Sequence, residues 1–128
     1  MTPDSQPRMR NVLVADDEPH IGRIIQLKLE QGPYRVTLVP DGRAALEHLR
    51  GGEPIDVVLL DIMMPYASGL EVLQEVRSLP HRSDTPVIIL TAKGQESDRA
   101  QALALGATDF FTKPFSPKKL LARVDELF

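Results

Sequence analysis

The chain has no cysteine, which excludes disulfides, thiolate nucleophiles and cysteine-based zinc sites together. It also has no apolar stretch near the roughly 20 residues that a membrane-spanning helix requires. Met1 to Pro7 are polar and proline-containing, without the charged-then-apolar order of a secretory signal. Positive charge is not in excess, since 15 Lys and Arg face 18 Asp and Glu for a net charge of -3. That balance argues against a nucleic-acid surface, which would need clustered cations. Repeats, low-complexity tracts and interdomain linkers are lacking. These absences leave a soluble cytoplasmic domain as the expectation, and 128 residues suit one hydrophobic core.

What the chain does contain is a set of short apolar runs, each ending in a residue that can work on phosphate or metal. Val12-Leu13-Val14-Ala15 runs into Asp16-Asp17, Val57-Val58-Leu59-Leu60 into Asp61, and Val87-Ile88-Ile89-Leu90 into Thr91. A weaker run, Phe110-Phe111, leads to Thr112 and then Lys113-Pro114. Unbroken runs of this kind read as strands buried on both faces, as in a parallel sheet. Ligands of such sheets bind beyond the carboxyl ends of the strands. Residues far apart in sequence are therefore expected to meet at one edge.

Helical patterns alternate with the strands. Pro19 suits a first helical turn, and Ile21, Ile24, Ile25 and Lys28 follow at helical spacing until Gln31-Gly32-Pro33. A second strand is predicted over Tyr34 to Val39 and a helix over Gly42 to Leu49, with Ala45, Leu46 and Leu49 inward. The third strand, Asp56 to Leu60, precedes a loop with Pro65 and Gly69, then a helix marked by Leu70, Leu73, Val76 and Leu79. A polar loop, Lys93 to Ser97, leads to a helix from Asp98 to Leu105 closed by Gly106. Ala100, Ala102 and Ala104 offer it little area to bury, leaving Leu103 and Leu105 as its main anchors. Such sparse anchoring marks an element that a small energy can shift. Ser116-Pro117 opens a last helix carrying Leu120, Leu121, Val124 and Phe128. The expected fold is α/β, a doubly wound five-stranded parallel sheet flanked by five helices, joined by right-handed crossovers. Residues 1–9 are expected to form a flexible tail, with the domain over 10–128 and no second domain encoded.

Two carboxylates about 4 Å apart repel by about 4 kcal/mol at an effective dielectric near 20. Asp16, Asp17 and Asp61 clustered together therefore call for a counter-charge. A hard divalent cation supplies one, and Mg²⁺ accepts one or two carboxylates while keeping room for waters and phosphate oxygens. The alternative is that Asp16-Asp17 merely caps the helix that Pro19 begins. Asp61 could be a ligand only, or a nucleophile toward phosphorus that forms an aspartyl-phosphate. Phosphoryl transfer asks mainly for positioning and charge neutralisation, which a metal on one side and Lys113 on the other would provide. The Thr91 hydroxyl could donate to a further oxygen. The plainer readings are a β-branched strand end for Thr91 and a solvated surface charge for Lys113. His20 reads as a solvated helix-start residue, and His48 and His81 have no neighbours suggesting chemistry.

Asp16-Asp17, Leu59-Leu60-Asp61-Ile62-Met63-Met64-Pro65 with Gly69, Thr91-Ala92, and Lys113-Pro114-Phe115 together resemble the CheY-like receiver domain of two-component response regulators, a flavodoxin-like fold. The resemblance runs from about Arg10 to Phe128. It implies that Asp61 accepts a phosphoryl group from the phosphohistidine of a sensor histidine kinase or phosphotransfer protein. It further implies Mg²⁺ (or Mn²⁺) bound directly by Asp17, Asp61 and the Met63 backbone carbonyl, and by Asp16 through water. Thr91 and Lys113 would hold phosphate oxygens, and the Lys113-Pro114 bond would be cis. Self-catalysed phosphoryl transfer and autodephosphorylation are implied, but no multiple-turnover enzyme. Met63 and Lys93 flank the site, where they could tune access of water to the phosphoryl group.

The resemblance also implies a route outward, in which Thr91 moves inward and the aromatic Phe110 follows. Phe110 lacks the hydroxyl of a tyrosine. The signal would reach a face made of the fourth helix, fifth strand and fifth helix, and so an unknown downstream protein. The ending from Lys113 to Arg123 resembles receivers of winged-helix DNA-binding regulators, which dimerise through that face. An acidic residue is usual there at position 119, facing a basic one at 99, whereas this chain has Lys119 and Arg99. Asp109 and Arg123 match a second family ion pair. The expectation is a monomer or weak dimer without direct nucleic-acid or membrane binding, acting by protein contact or as a fragment of a longer regulator.

Three competing classes are less well served by the residues. An aspartyl-phosphate phosphatase would want a second acid beside Asp61, where Ile62-Met63 stand. A flavin binder would want a phosphate-cradling loop where Asp16-Asp17-Glu18 would repel phosphate. A receiver-shaped module that is never phosphorylated would not need the complete acidic set with Lys113.

Overall fold

The computed structural model describes residues 9–92 and 96–128. The strands are β1 (Arg10–Ala15), β2 (Tyr34–Val39), β3 (Val57–Asp61), β4 (Val87–Thr91) and β5 (Asp109–Thr112). Between and after them lie α1 (Pro19–Leu29), α2 (Gly42–Arg50), α3 (Gly69–Ser78), α4 (Glu96–Ala104) and α5 (Pro117–Glu126). All strand pairings are parallel, in the order β2-β1-β3-β4-β5. The expected doubly wound α/β fold is therefore the one observed. The order reverses between β1 and β3, and at such a switch point the flanking loops diverge and leave a crevice.

Alternation along the strands splits the core into two layers. Leu13, Val58, Leu60, Ile89 and Phe110 face α2, α3 and α4. Val12, Val14, Leu59, Ile88 and Leu90 face α1 and α5. β3 and β4 are buried at every residue, as their unbroken apolar runs required. β3 starts one residue later than predicted and carries Asp61 as its last member. Asp56 instead ties down the preceding loop, its carboxylate accepting from the Asn11 amide at 2.7 Å.

Helix starts follow from local chemistry. Ser116 accepts from the Lys119 amide at α5, and Asp41 accepts from Ala44 at α2. Ser68 and Glu71 form a reciprocal capping box at α3. Two helix-face expectations are corrected. Ile24 is 45% exposed while Gly22, Ile25 and Leu29 form the buried stripe of α1. In α4 the anchor is Ala102, fully buried, with Leu105 packed against the core, whereas Leu103 is 45% exposed. Residues three apart share a helix face, so Ala102 and Leu105 point inward and Leu103 turns about 100° away. The start of the predicted tail, residues 1–8, and Lys93 lie outside the described residues. No helix among the described residues is long and apolar enough to cross a membrane.

Candidate functional site

The crevice forms at the carboxyl ends of β1, β3, β4 and β5. β1 delivers Asp16, which is buried, with Asp17 and Glu18 following before α1. Glu18 occupies the N-cap position of α1 but makes no side-chain cap bond, and Asp16 accepts from the Glu18 amide at 2.9 Å. The acidic group is therefore not spent on capping. β3 delivers Asp61, also buried. The loop after it folds closely over the strand end: a Cβ on Gly69 would stand 2.2 Å from the Asp61 carbonyl oxygen, a distance no side chain tolerates. Gly69 therefore fixes how the loop returns over the site.

One oxygen from each of Asp16, Asp17, Glu18 and Asp61 lies within 4.8 Å of the others. The counter-charge comes from across the sheet. Lys113, just beyond β5, donates to Asp16 Oδ2 at 2.8 Å, Glu18 Oε1 at 3.1 Å and Asp61 Oδ2 at 3.2 Å. Its side chain is only 9% exposed, so it is not the solvated surface charge of the plainer reading. The Lys113 amide donates to the Thr91 carbonyl at 2.6 Å, and the Lys113-Pro114 bond is cis. Thr91 is buried and, with Asp17, Glu18, Asp61, Met63 and Ala92, lines a cavity of about 220 Å³ at the strand ends.

Among the described residues, one ammonium stands among four carboxylates, which leaves them short of positive charge. Burial pushes the Asp61 carboxyl up to about 6, with Lys113 pulling it down and Asp16 pushing it further up. Burial works against the charge on Lys113, but the bond to Asp16 and the neighbouring Asp61 and Asp16 carboxylates outweigh it and hold its pKa above the usual value. Anionic oxygen donors around a small open cavity fit a hard divalent cation.

The structure brings Asp16, Asp17, Asp61, Met63, Thr91 and Lys113 to this one edge. The Met63 side chain is 65% exposed, and its amide nitrogen is 3.4 Å from Asp61 Oδ1. Phe110 lies deeper in β5, buried and paired in register with Ile89, two residues back from Thr91 on the same sheet face. The Arg99 guanidinium stands 6.0 Å from its ring centroid. Asp109 and Arg123 form an ion pair at 2.6 Å. The histidines are elsewhere: His20 is exposed, His48 pairs with Glu53 and His81 meets the Leu49 carbonyl. Sequence reasoning missed Glu18 as a partner of Lys113. Its place directly after the aspartate pair counted only as added repulsion.

The pattern of the response regulator receiver domain matches residues 12–125. A probable transcriptional regulator, ycf27, of Galdieria sulphuraria is 46% identical over 121 residues, covering 94% of this chain and 46% of that protein. The chain thus spans less than half the length of that relative. Among solved structures, the receiver domain of Francisella response regulator 1452 is 37% identical with a TM-score of 0.84, covering 92% of this chain and 95% of that one. The chemotaxis response regulator CheY4 of Vibrio cholerae is 31% identical with a TM-score of 0.86, covering 94% and 99%. The chain belongs to the response regulator receiver domain family, the CheY-like signalling domains of two-component systems. Domains of this family interact with histidine kinases and downstream effectors.

Proposed function

We propose that Asp61 is the phosphoacceptor and that the phosphoryl group comes from a phosphohistidine on a sensor histidine kinase or phosphotransfer protein. The observation that carries this reading is the buried Asp61 carboxylate beside the Lys113 ammonium, 3.2 Å away, at the mouth of a small cavity. A carboxylate oxygen of Asp61 forms the new O–P bond as the P–N bond breaks, and the electron pair of that bond stays on the imidazole nitrogen. Lys113 neutralises a phosphoryl oxygen on one side, and the Thr91 hydroxyl donates to another. Asp17, Asp61 and the Met63 carbonyl would hold Mg²⁺ or Mn²⁺ directly, with Asp16 reaching it through water. When bound, such an ion supplies positive charge to the phosphoryl oxygens. Water that later attacks the phosphorus breaks the Asp61 O–P bond, releasing inorganic phosphate and the free carboxylate, so the domain is a self-resetting signal element, working in the cytoplasm, rather than a turnover enzyme.

The signal leaves through Thr91 and Phe110 toward the face formed by α4, β5 and α5. Phe110 is well placed to follow Thr91, being buried on the same face of the sheet. Arg99 and Lys119 put like charges on that face, and exposed like charges oppose close pairing. A monomer or weak dimer acting on a downstream protein is the reading this supports. Sedimentation of the phosphorylated protein is expected to remain monomeric at micromolar concentration, and a tight phospho-dependent dimer would refute it. The primary test is incubation with acetyl phosphate and Mg²⁺ followed by intact mass. One phosphoryl group is expected on the wild type and none on Asp61→Asn.

A further inference from the structure

We infer that Glu18 is a positioning residue that occupies Lys113 until a phosphoryl group displaces it. This rests on the reading of Asp61 as phosphoacceptor. A lysine ammonium has three protons to donate, and Lys113 has three carboxylate partners, Asp16, Glu18 and Asp61. Its donors are fully used. It can bond a phosphoryl oxygen only if one partner leaves.

The three partners are not equally able to leave. The Asp16 side chain is 1% exposed, and its other oxygen accepts from the Glu18 amide at 2.9 Å. Moving it would strand a charge in a buried site. Asp61 is the nucleophile and has to hold its place while the anion arrives, before the O–P bond forms. The Glu18 side chain is 45% exposed, so it swings into water with little change in solvation. A phosphoryl group carries about two negative charges where the Asp61 carboxylate carried one, and would repel Glu18 from the position it holds. Glu18 thus keeps Lys113 extended over the site in the resting state and competes with the incoming anion for it.

The competition is measurable through binding of beryllofluoride, a tetrahedral mimic of the phosphoryl group, by calorimetry at saturating Mg²⁺. Glu18→Ala is expected to raise beryllofluoride affinity about fivefold, the upper end for a half-exposed ion pair. Glu18→Asp separates contact from charge. It keeps the carboxylate but withdraws it by about one C–C bond length, about 1.5 Å, beyond hydrogen-bond reach of Lys113. It is expected to behave as Glu18→Ala does. A wild-type affinity in Glu18→Asp would overturn the inference and leave only a general charge effect. Mg²⁺ affinity measured without beryllofluoride is expected to change by no more than about threefold in either variant. A far larger loss would instead make Glu18 a metal ligand and also overturn the inference. Intact mass with acetyl phosphate separates the underlying reading. Phosphorylated wild type with unchanged variants defeats the role of Glu18 alone, whereas wild type that gains no phosphoryl group defeats both.

Discussion

The two ends of the sheet treat buried charge in opposite ways. At the amino end, Arg82 is 5% exposed, yet it donates to the carbonyls of Leu49, Gly51 and Glu53 at 3.0, 2.9 and 2.6 Å. It satisfies the carbonyls at the carboxyl end of α2, where a cation is also favoured by the helix dipole. Arg77 does similar work nearby, bridging α3 to the carbonyls of Thr85 and Gly106. At the carboxyl end, among the described residues, four carboxylates cluster around one ammonium that bonds three of them, and burial raises the Asp61 pKa. One end uses charge to close backbone bonds, and the other holds charge that a ligand would relieve. Polar substitutions should therefore have opposite signs at the two ends.

The largest expected effect is at the amino end. Arg82→Met keeps much of the side-chain volume but orphans the carbonyls, and a cost of about 3 kcal/mol is expected in urea denaturation. No change would mean that water replaces these bonds freely. At the site end, Asp61→Asn is expected to stabilise the metal-free protein by about 2 kcal/mol at pH 7. Equal or lower stability would contradict the charge imbalance described above.

The sign of the pH dependence follows from the same group. Burial lifts the Asp61 pKa from its ordinary 3.8 to about 6 in the folded protein. Between those values the native state holds a proton that the unfolded chain has lost. Its contribution is thus present below the unfolded pKa and lost as pH rises through the folded one. In a chelator, wild-type stability is expected to fall between pH 4 and pH 6 relative to Asp61→Asn, and parallel curves would refute this. The smallest effect is a control. Ser68→Ala, which removes an ordinary cap at the site end, is expected to cost about 1 kcal/mol, showing that only the clustered charges there are unfavourable.

Much of the site was legible because β1, β3 and β4 each carry a solid apolar run, so the polar residue ending it must lie at the sheet edge. Asp16, Asp61 and Thr91 are of this kind, and Lys113 follows the weaker run of β5. Glu18 was not legible, because its role depends on a lysine 95 residues away reaching back over the crevice. Arg82 was equally hidden: in Leu79-Pro80-His81-Arg82-Ser83 it reads as part of a polar loop, and only the fold places it under the end of α2. The face of α4 was misread since alanines at 100, 102 and 104 give a weak pattern, and the larger Leu103 was favoured over the buried Ala102. Burial there follows helix geometry rather than side-chain size.

The most direct test is to locate the phosphoryl group chemically. After reaction with acetyl phosphate and Mg²⁺, borohydride reduces an aspartyl phosphate to homoserine, and peptide mass mapping identifies the residue converted. Conversion at Asp61 alone is the predicted result. Conversion at Asp16 or Asp17, or none at any carboxylate of the crevice, would contradict the assignment of Asp61 as the acceptor.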